Sequence, residues 1–203
     1  MASAGPLRSQ RHSPRSMHVH ALDNLRFIRE TMERATAFTA ISGWGLVAVG
    51  LTALGAAALA WRQPPVRWLV IWLGEAAVAF AVAAAATVRK AHAARMPLFS
   101  MPARRFALSF SPPMAVGALL TLVLYRAGLV ELLPGLWMLL YGTGIVTGGA
   151  FSIRVVPVMG VCFMVLGGIT LFLPAALGYP MMVAGFGGLH LVFGSLIVRR
   201  YGG

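Results

Sequence analysis

The chain has 203 residues, 59% of them hydrophobic and 11% charged, with a formal net charge of +12 and a pI near 11.7. A soluble domain of this length must keep much of its surface wet, so a mean hydropathy of +0.80 excludes an ordinary water-soluble globule. The excess of positive charge gathers at the ends of long apolar runs, where it meets lipid phosphates, and this argues against a nucleic-acid partner.

Residues 1–19, with Arg8, Arg11, Arg15, two prolines and several serines, read as a disordered basic cytoplasmic tail. Residues 20–41 read as an amphipathic juxtamembrane helix. Asp23 can cap it, and Leu25, Ile28, Met32 and Ala35 recur at helical spacing. Its polar faces carry Arg26, Glu30 and Arg34 four apart, and Arg29 and Glu33 four apart, each such pair worth about 0.3 kcal/mol to an isolated helix.

Six apolar stretches fill 42–203, and ~20 helical residues cross a hydrocarbon core of ~30 Å. The first is about Ser42–Trp61, ended by Pro64-Pro65, and the second about Trp68–Val88, followed by Arg89, Lys90, His92 and Arg95. A connector to Ser111 mixes Arg104 and Arg105 with Leu98, Phe99, Met101, Phe106 and Phe110, as a segment lying among headgroups would. The third span is expected from Pro113 to near Leu133, the fourth over about Leu136–Phe151. The fifth follows Arg154 and ends at Pro174, and the sixth is about Met181–Val198, closed by Arg199-Arg200. The expected fold is therefore an all-α integral membrane protein, a six-helix transmembrane bundle preceded by an amphipathic helix.

With both termini in the cytoplasm, all lysines and arginines except Arg62, Arg67 and Arg126 fall on the cytoplasmic side. Trp61, Trp68, Trp72, Trp137 and Tyr179 then mark the outer ends as an aromatic belt. Small residues line several faces, among them Ala48, Thr52, Ala56 and Ala60, the pair Gly144 and Gly148, and Gly187 with Gly194. In lipid these let helices approach closely, within a bundle or in a homo-oligomer.

The candidate intramembrane polar site is Glu75, His190, Tyr141 and Thr143. A carboxyl in mid-span costs ~3 kcal/mol or more unless it faces protein or water, and Glu75 lies about 12 Å in from Arg67. His190 has a similar depth on the sixth span and is the expected partner of Glu75. Arg126 and Glu131 form the expected outer-end ion pair. Tyr141 and Thr143 reach similar depth on the fourth span, where they line an outward cavity with that pair or serve as interfacial anchors.

Several chemistries drop out. Bis-histidine haem needs two span histidines, and only His190 is there. His12, His18 and His20 in the tail have no acid or cysteine spaced to complete a metal site, and the single Cys162 cannot form a disulfide within one chain. No cofactor or metal is expected. Six spans with glycines on the fourth and a histidine on the sixth suggest a rhomboid protease, but Tyr141-Gly142-Thr143-Gly144 lacks the serine nucleophile, so an enzyme is not expected.

Two stretches carry a resemblance: Asn24-Leu25-Arg26-Phe27-Ile28-Arg29-Glu30-Thr31-Met32-Glu33-Arg34-Ala35 with Phe38-Thr39-Ala40 and Gly43-Trp44-Gly45, and Gly185-Phe186-Gly187-Gly188-Leu189-His190 through Arg199-Arg200-Tyr201-Gly202-Gly203. Over residues 22–203 the chain resembles a group of bacterial multi-span inner-membrane proteins with no established activity. The resemblance implies a bacterial inner-membrane location and transfers no functional residue. The expected function is non-enzymatic: signalling to, or anchoring, a cytoplasmic partner. Arg26, Arg29, Glu30, Glu33, Arg34, Arg89, Lys90, Arg104 and Arg105 would dock that partner or anionic headgroups. The alternative is a proton-coupled transporter or channel-like homo-oligomer using Glu75 and His190.

Overall fold

A proline or a left-handed residue stands at most of the helix boundaries. The computed structural model describes Asn24, Leu25 and residues 41–93, 101–150 and 152–201. The chain divides into Met1–Ala37 and Phe38–Gly203, and the elements named below lie in the second unit. The expected tail and amphipathic helix, with Arg26, Arg29, Glu30, Glu33 and Arg34, lie outside the described residues apart from Asn24 and Leu25, which are helical, and Ile41, which is not.

Helix α1 spans Gly43–Ala60, capped by Ser42, whose Oγ accepts from the Gly45 N–H at 3.1 Å. Arg62, at φ 54°, turns the chain, and Pro65 opens α2, Pro65–Ala93, because a proline at the first position forfeits no intrahelical bond. Helix α3 is Met101–Arg126, not a headgroup segment followed by a span from Pro113. Pro112 and Pro113 lie inside it. Pro113 has no N–H for the Ser109 carbonyl, and the Thr147 hydroxyl lies 2.9 Å from that carbonyl, as it does from the Thr143 carbonyl of its own helix. A hydroxyl from a neighbouring helix is one of the ways in which a carbonyl freed by proline within a span is satisfied.

Gly128, at φ 73°, and a 3-10 turn, Val130–Leu132, lead into α4, Leu133–Gly149. Arg154 precedes α5, Val155–Phe172, and Pro174 ends that run. After a second 3-10 turn the sixth helix, α6, runs from Gly178 to Tyr201 in three parts: an α turn Gly178–Met182, a π segment Val183–Leu189, and an α segment His190–Tyr201. Six helices are long and apolar enough to cross a membrane, and the described residues form no β-strand.

Two antiparallel pairs make the centre. Helix α4 lies on α5 through Gly135 and Gly142 against Gly167 and Gly160: a Cβ on Gly142 would sit 2.6 Å from the Gly160 carbonyl oxygen, and one on Gly160 2.7 Å from that of Gly142. Helix α1 lies on α6 in the same manner, with Gly43 against Gly194 and Gly50 against Gly187. Backbone meets backbone there, which adds dispersion and weak Cα–H···O contacts where water gives no hydrophobic drive. The buried side chains Met138, Met159 and Phe163 fill the space between the pairs, with Phe193 beside them. Helix α2 then packs on α1, and α3 on α4. The Gly144–Gly148 pair seats the stacked rings of Phe110 and Phe106 from α3, so it is an internal floor.

The ends of the bundle differ. At one, Arg89 and Lys90 of α2, Arg104 and Arg105 of α3, Arg154, and Arg199 and Arg200 of α6 share a level fixed by the alternation of helices. At the other, Trp68 stacks on Trp137 at 5.5 Å and Trp61 meets Tyr179 edge-on at 4.6 Å.

Candidate functional site

Tyr141 and His190 face each other across the seam where α4, α5 and α6 converge. The Tyr141 hydroxyl lies 2.8 Å from His190 Nε2, and His190 Nδ1 lies 2.9 Å from the Phe186 carbonyl oxygen. A carbonyl only accepts, so Nδ1 carries the imidazole proton. Nε2 is then the acceptor, and Tyr141 donates to it. His190 is fully enclosed, with 1% of its surface exposed.

Rings close the site on several sides. Phe163 of α5 meets Tyr141 edge-on at 4.9 Å and His190 edge-on at 5.3 Å. Phe186 stacks on His190 at 6.3 Å, and Phe110 of α3 meets Tyr141 at 6.0 Å and 88°. Such arrangements follow from the ring quadrupole, with negative face and positive edge.

The π segment sets this geometry locally. Val183–Leu189 holds Gly185, Gly187 and Gly188, which weaken α-helical preference, and the backbone N–H of His190 turns to the Gly187 carbonyl. The Phe186 carbonyl then accepts from the imidazole four residues on. Gly185 gives way to the Met138 sulfur, 2.6 Å from where a Cβ would stand, and Gly187 to Leu54. Single-turn π segments are rare and frequently mark functional sites.

The other expected members fall elsewhere. Glu75 is not the partner of His190: its Oε1 lies 2.9 Å from the Thr52 hydroxyl of α1, which is also 2.9 Å from the Val49 carbonyl. Matched depth along the span fixes one coordinate only, and the position of α2 outside α1 fixes the rest. Thr143 donates to the Leu139 carbonyl of its own helix at 2.9 Å. Arg126 and Glu131 form no ion pair: α3 ends at Arg126, the left-handed Gly128 redirects the chain, and both side chains are exposed. Of the basic residues, Lys90 donates to the Ile41 carbonyl at 3.2 Å, while Arg89, Arg104 and Arg105 are exposed at the helix ends.

Chemically, the Tyr141–His190 chain stops at an amide carbonyl, which hands no proton onward. It joins α4 to α6. Among the described residues no three His, Cys, Asp or Glu side chains gather to hold a metal. Sequence reasoning missed the Tyr141–His190 bond and the π segment. It named the face of Gly187 and Gly194 but missed that Gly135 and Gly142, Gly160 and Gly167, and Gly43 and Gly50 repeat the same seven-residue interval, the spacing of a continuous helix seam. No family model, curated protein or solved structure matches the chain.

Proposed function

We propose that the protein is a non-enzymatic subunit of a bacterial inner membrane that anchors, or signals to, a cytoplasmic protein with an acidic surface. The observation that carries this reading is where the polar groups stand. Inside the spans most of them are engaged with one another or with backbone carbonyls, as Tyr141 with His190, Thr52 with Glu75 and Trp137 with Thr121, the buried Trp72 indole N–H being the exception among the described residues. The outward-directed charge collects at the end bearing Arg89, Arg104, Arg105, Arg154, Arg199 and Arg200. The excess of basic residues there supports a cytoplasmic placement of that end, and the resemblance noted above supports the bacterial membrane. Anionic headgroups share the same surface.

The test is cross-linking in native membranes. An acidic cytoplasmic protein should co-purify with the full chain and be lost from a chain lacking residues 1–34 or carrying Arg89→Glu and Arg104→Glu. Undiminished recovery from both variants refutes the reading.

A proton-coupled transporter or channel-like homo-oligomer is the second reading, favoured by one observation: Glu75 sits in mid-span on α2, a helix with little protein cover. It expects Glu75→Gln to abolish a pH-dependent flux in proteoliposomes while the fold persists. An unchanged flux ends it.

A further inference from the structure

At the tryptophan end, α1 and α2 diverge around a shallow groove of about 390 Å³, lined by Leu59 and Gln63 on one side and Val66, Arg67, Val70 and Ile71 on the other. That volume lies at the lower end of the range for ligand sites. The floor is wholly aliphatic. The rim is polar, and among the described residues neither the Gln63 carboxamide nor the Arg67 guanidinium has a hydrogen-bond or ion-pair partner. The neighbouring Arg62 is differently engaged, its guanidinium 5.8 Å from the Trp61 ring centroid. Residues 61–67 contain no acid to neutralise Arg67.

We propose that this groove is a binding site for an acidic phospholipid, with one acyl chain along Leu59, Val66, Val70 and Ile71 and the headgroup phosphate on Arg67 and Gln63. Three features select this occupant. The groove lies at the level of Trp61 and Trp68, ring types that settle at the headgroup boundary of a bilayer. Its aliphatic floor runs from that level toward the middle of the span, as a lipid chain does. Its charge is positive, with no ion-pair partner among the described residues, which selects an anionic over a zwitterionic head. A free phosphate would use Arg67 and leave the floor idle. The site lies at the opposite end from the proposed docking surface, so the failure of either leaves the other standing.

The chain is reconstituted in vesicles of equal phosphatidylglycerol and phosphatidylcholine, and retained lipid is weighed by native mass spectrometry. The wild type should hold phosphatidylglycerol in preference. Arg67→Gln should lower that preference about fivefold, the share of one basic residue at a membrane surface. Arg126→Gln, at the same end but outside the groove, should leave it unchanged. Val70→Trp, which fills the floor, should reduce retention of both lipids. These three positions are exposed, and unchanged helicity by circular dichroism verifies folding. An Arg67→Gln protein with the wild-type lipid ratio, or undiminished retention by Val70→Trp, overturns the proposal. Displacement of phosphatidylglycerol by millimolar inorganic phosphate also overturns it, in favour of a bare anion site.

Discussion

The four glycine-paired helices and the two outer ones are held by different means. Between 33 and 44% of the most apolar stretch is buried in α1, α4, α5 and α6, against 11% in α2 and 6% in α3. The inner pairs meet backbone to backbone, with carbonyl oxygens seated on facing glycines. The outer helices are attached by polar handles: α2 by Glu75 to Thr52 and Lys90 to the Ile41 carbonyl, α3 by Thr121 to Trp137 and its Ser109 carbonyl to Thr147. In lipid, burial of aliphatic surface gives no advantage over exposure to acyl chains, so contact must come from close packing or hydrogen bonding. This bundle sets backbone against backbone at its centre, and at its margin it adds hydrogen bonds to side chains seated on glycines, Ala86 on Gly45 and Phe110 and Phe106 on Gly144 and Gly148.

The sharpest way to break that division is Gly142→Leu. The new Cβ alone would lie 2.6 Å from the Gly160 carbonyl, against backbone that cannot swing away. Overpacking commonly costs about 1–3 kcal/mol, and a backbone clash more. The folded population in a detergent-unfolding titration should collapse. Next comes His190→Ala, which empties an enclosed site and strands the Tyr141 hydroxyl. A loss of about 2–4 kcal/mol is expected by the same titration. Tyr141→Phe keeps the ring and removes only the bond, so about 1 kcal/mol should go. A double-mutant cycle with His190→Ala should return that bond as coupling. Thr147→Val tests the margin. Stability should fall by about 1 kcal/mol or less, with faster amide exchange in α3 while α5 stays protected. Smallest of all is Gly168→Ala, which has open space where its Cβ would stand and should change stability by no more than about 0.5 kcal/mol. A large effect there, or a small one at Gly142, would show that glycine in these helices acts through something other than close approach.

The number and order of spans were legible in the sequence because ~20-residue apolar runs leave little choice, and the expected first span, Ser42–Trp61, differs from α1 by a residue at each end. Pro112-Pro113 misled for a physical reason. A proline pair normally starts or ends a helix, and the hydroxyl that reaches the freed Ser109 carbonyl, that of Thr147, lies 34 positions beyond Pro113 in the chain. The site was legible as a set of residues and not as a set of bonds. Tyr141 and His190 stood out as polar groups in apolar spans. Which polar group meets which depends on the rotation of each helix, and in α6 the π segment alters that rotation beyond what 3.6-residue periodicity conveys.

The bond from Thr147 to the Ser109 carbonyl also bears on biogenesis. As the chain leaves the ribosome, α3 is complete before α4 exists, and through that interval its own backbone cannot satisfy the carbonyl facing Pro113. A helix carrying such a debt is poorly suited to stay alone in hydrocarbon. The third and fourth spans are therefore complementary as a hairpin, the later helix bringing a hydroxyl within reach of the carbonyl that the earlier one leaves open.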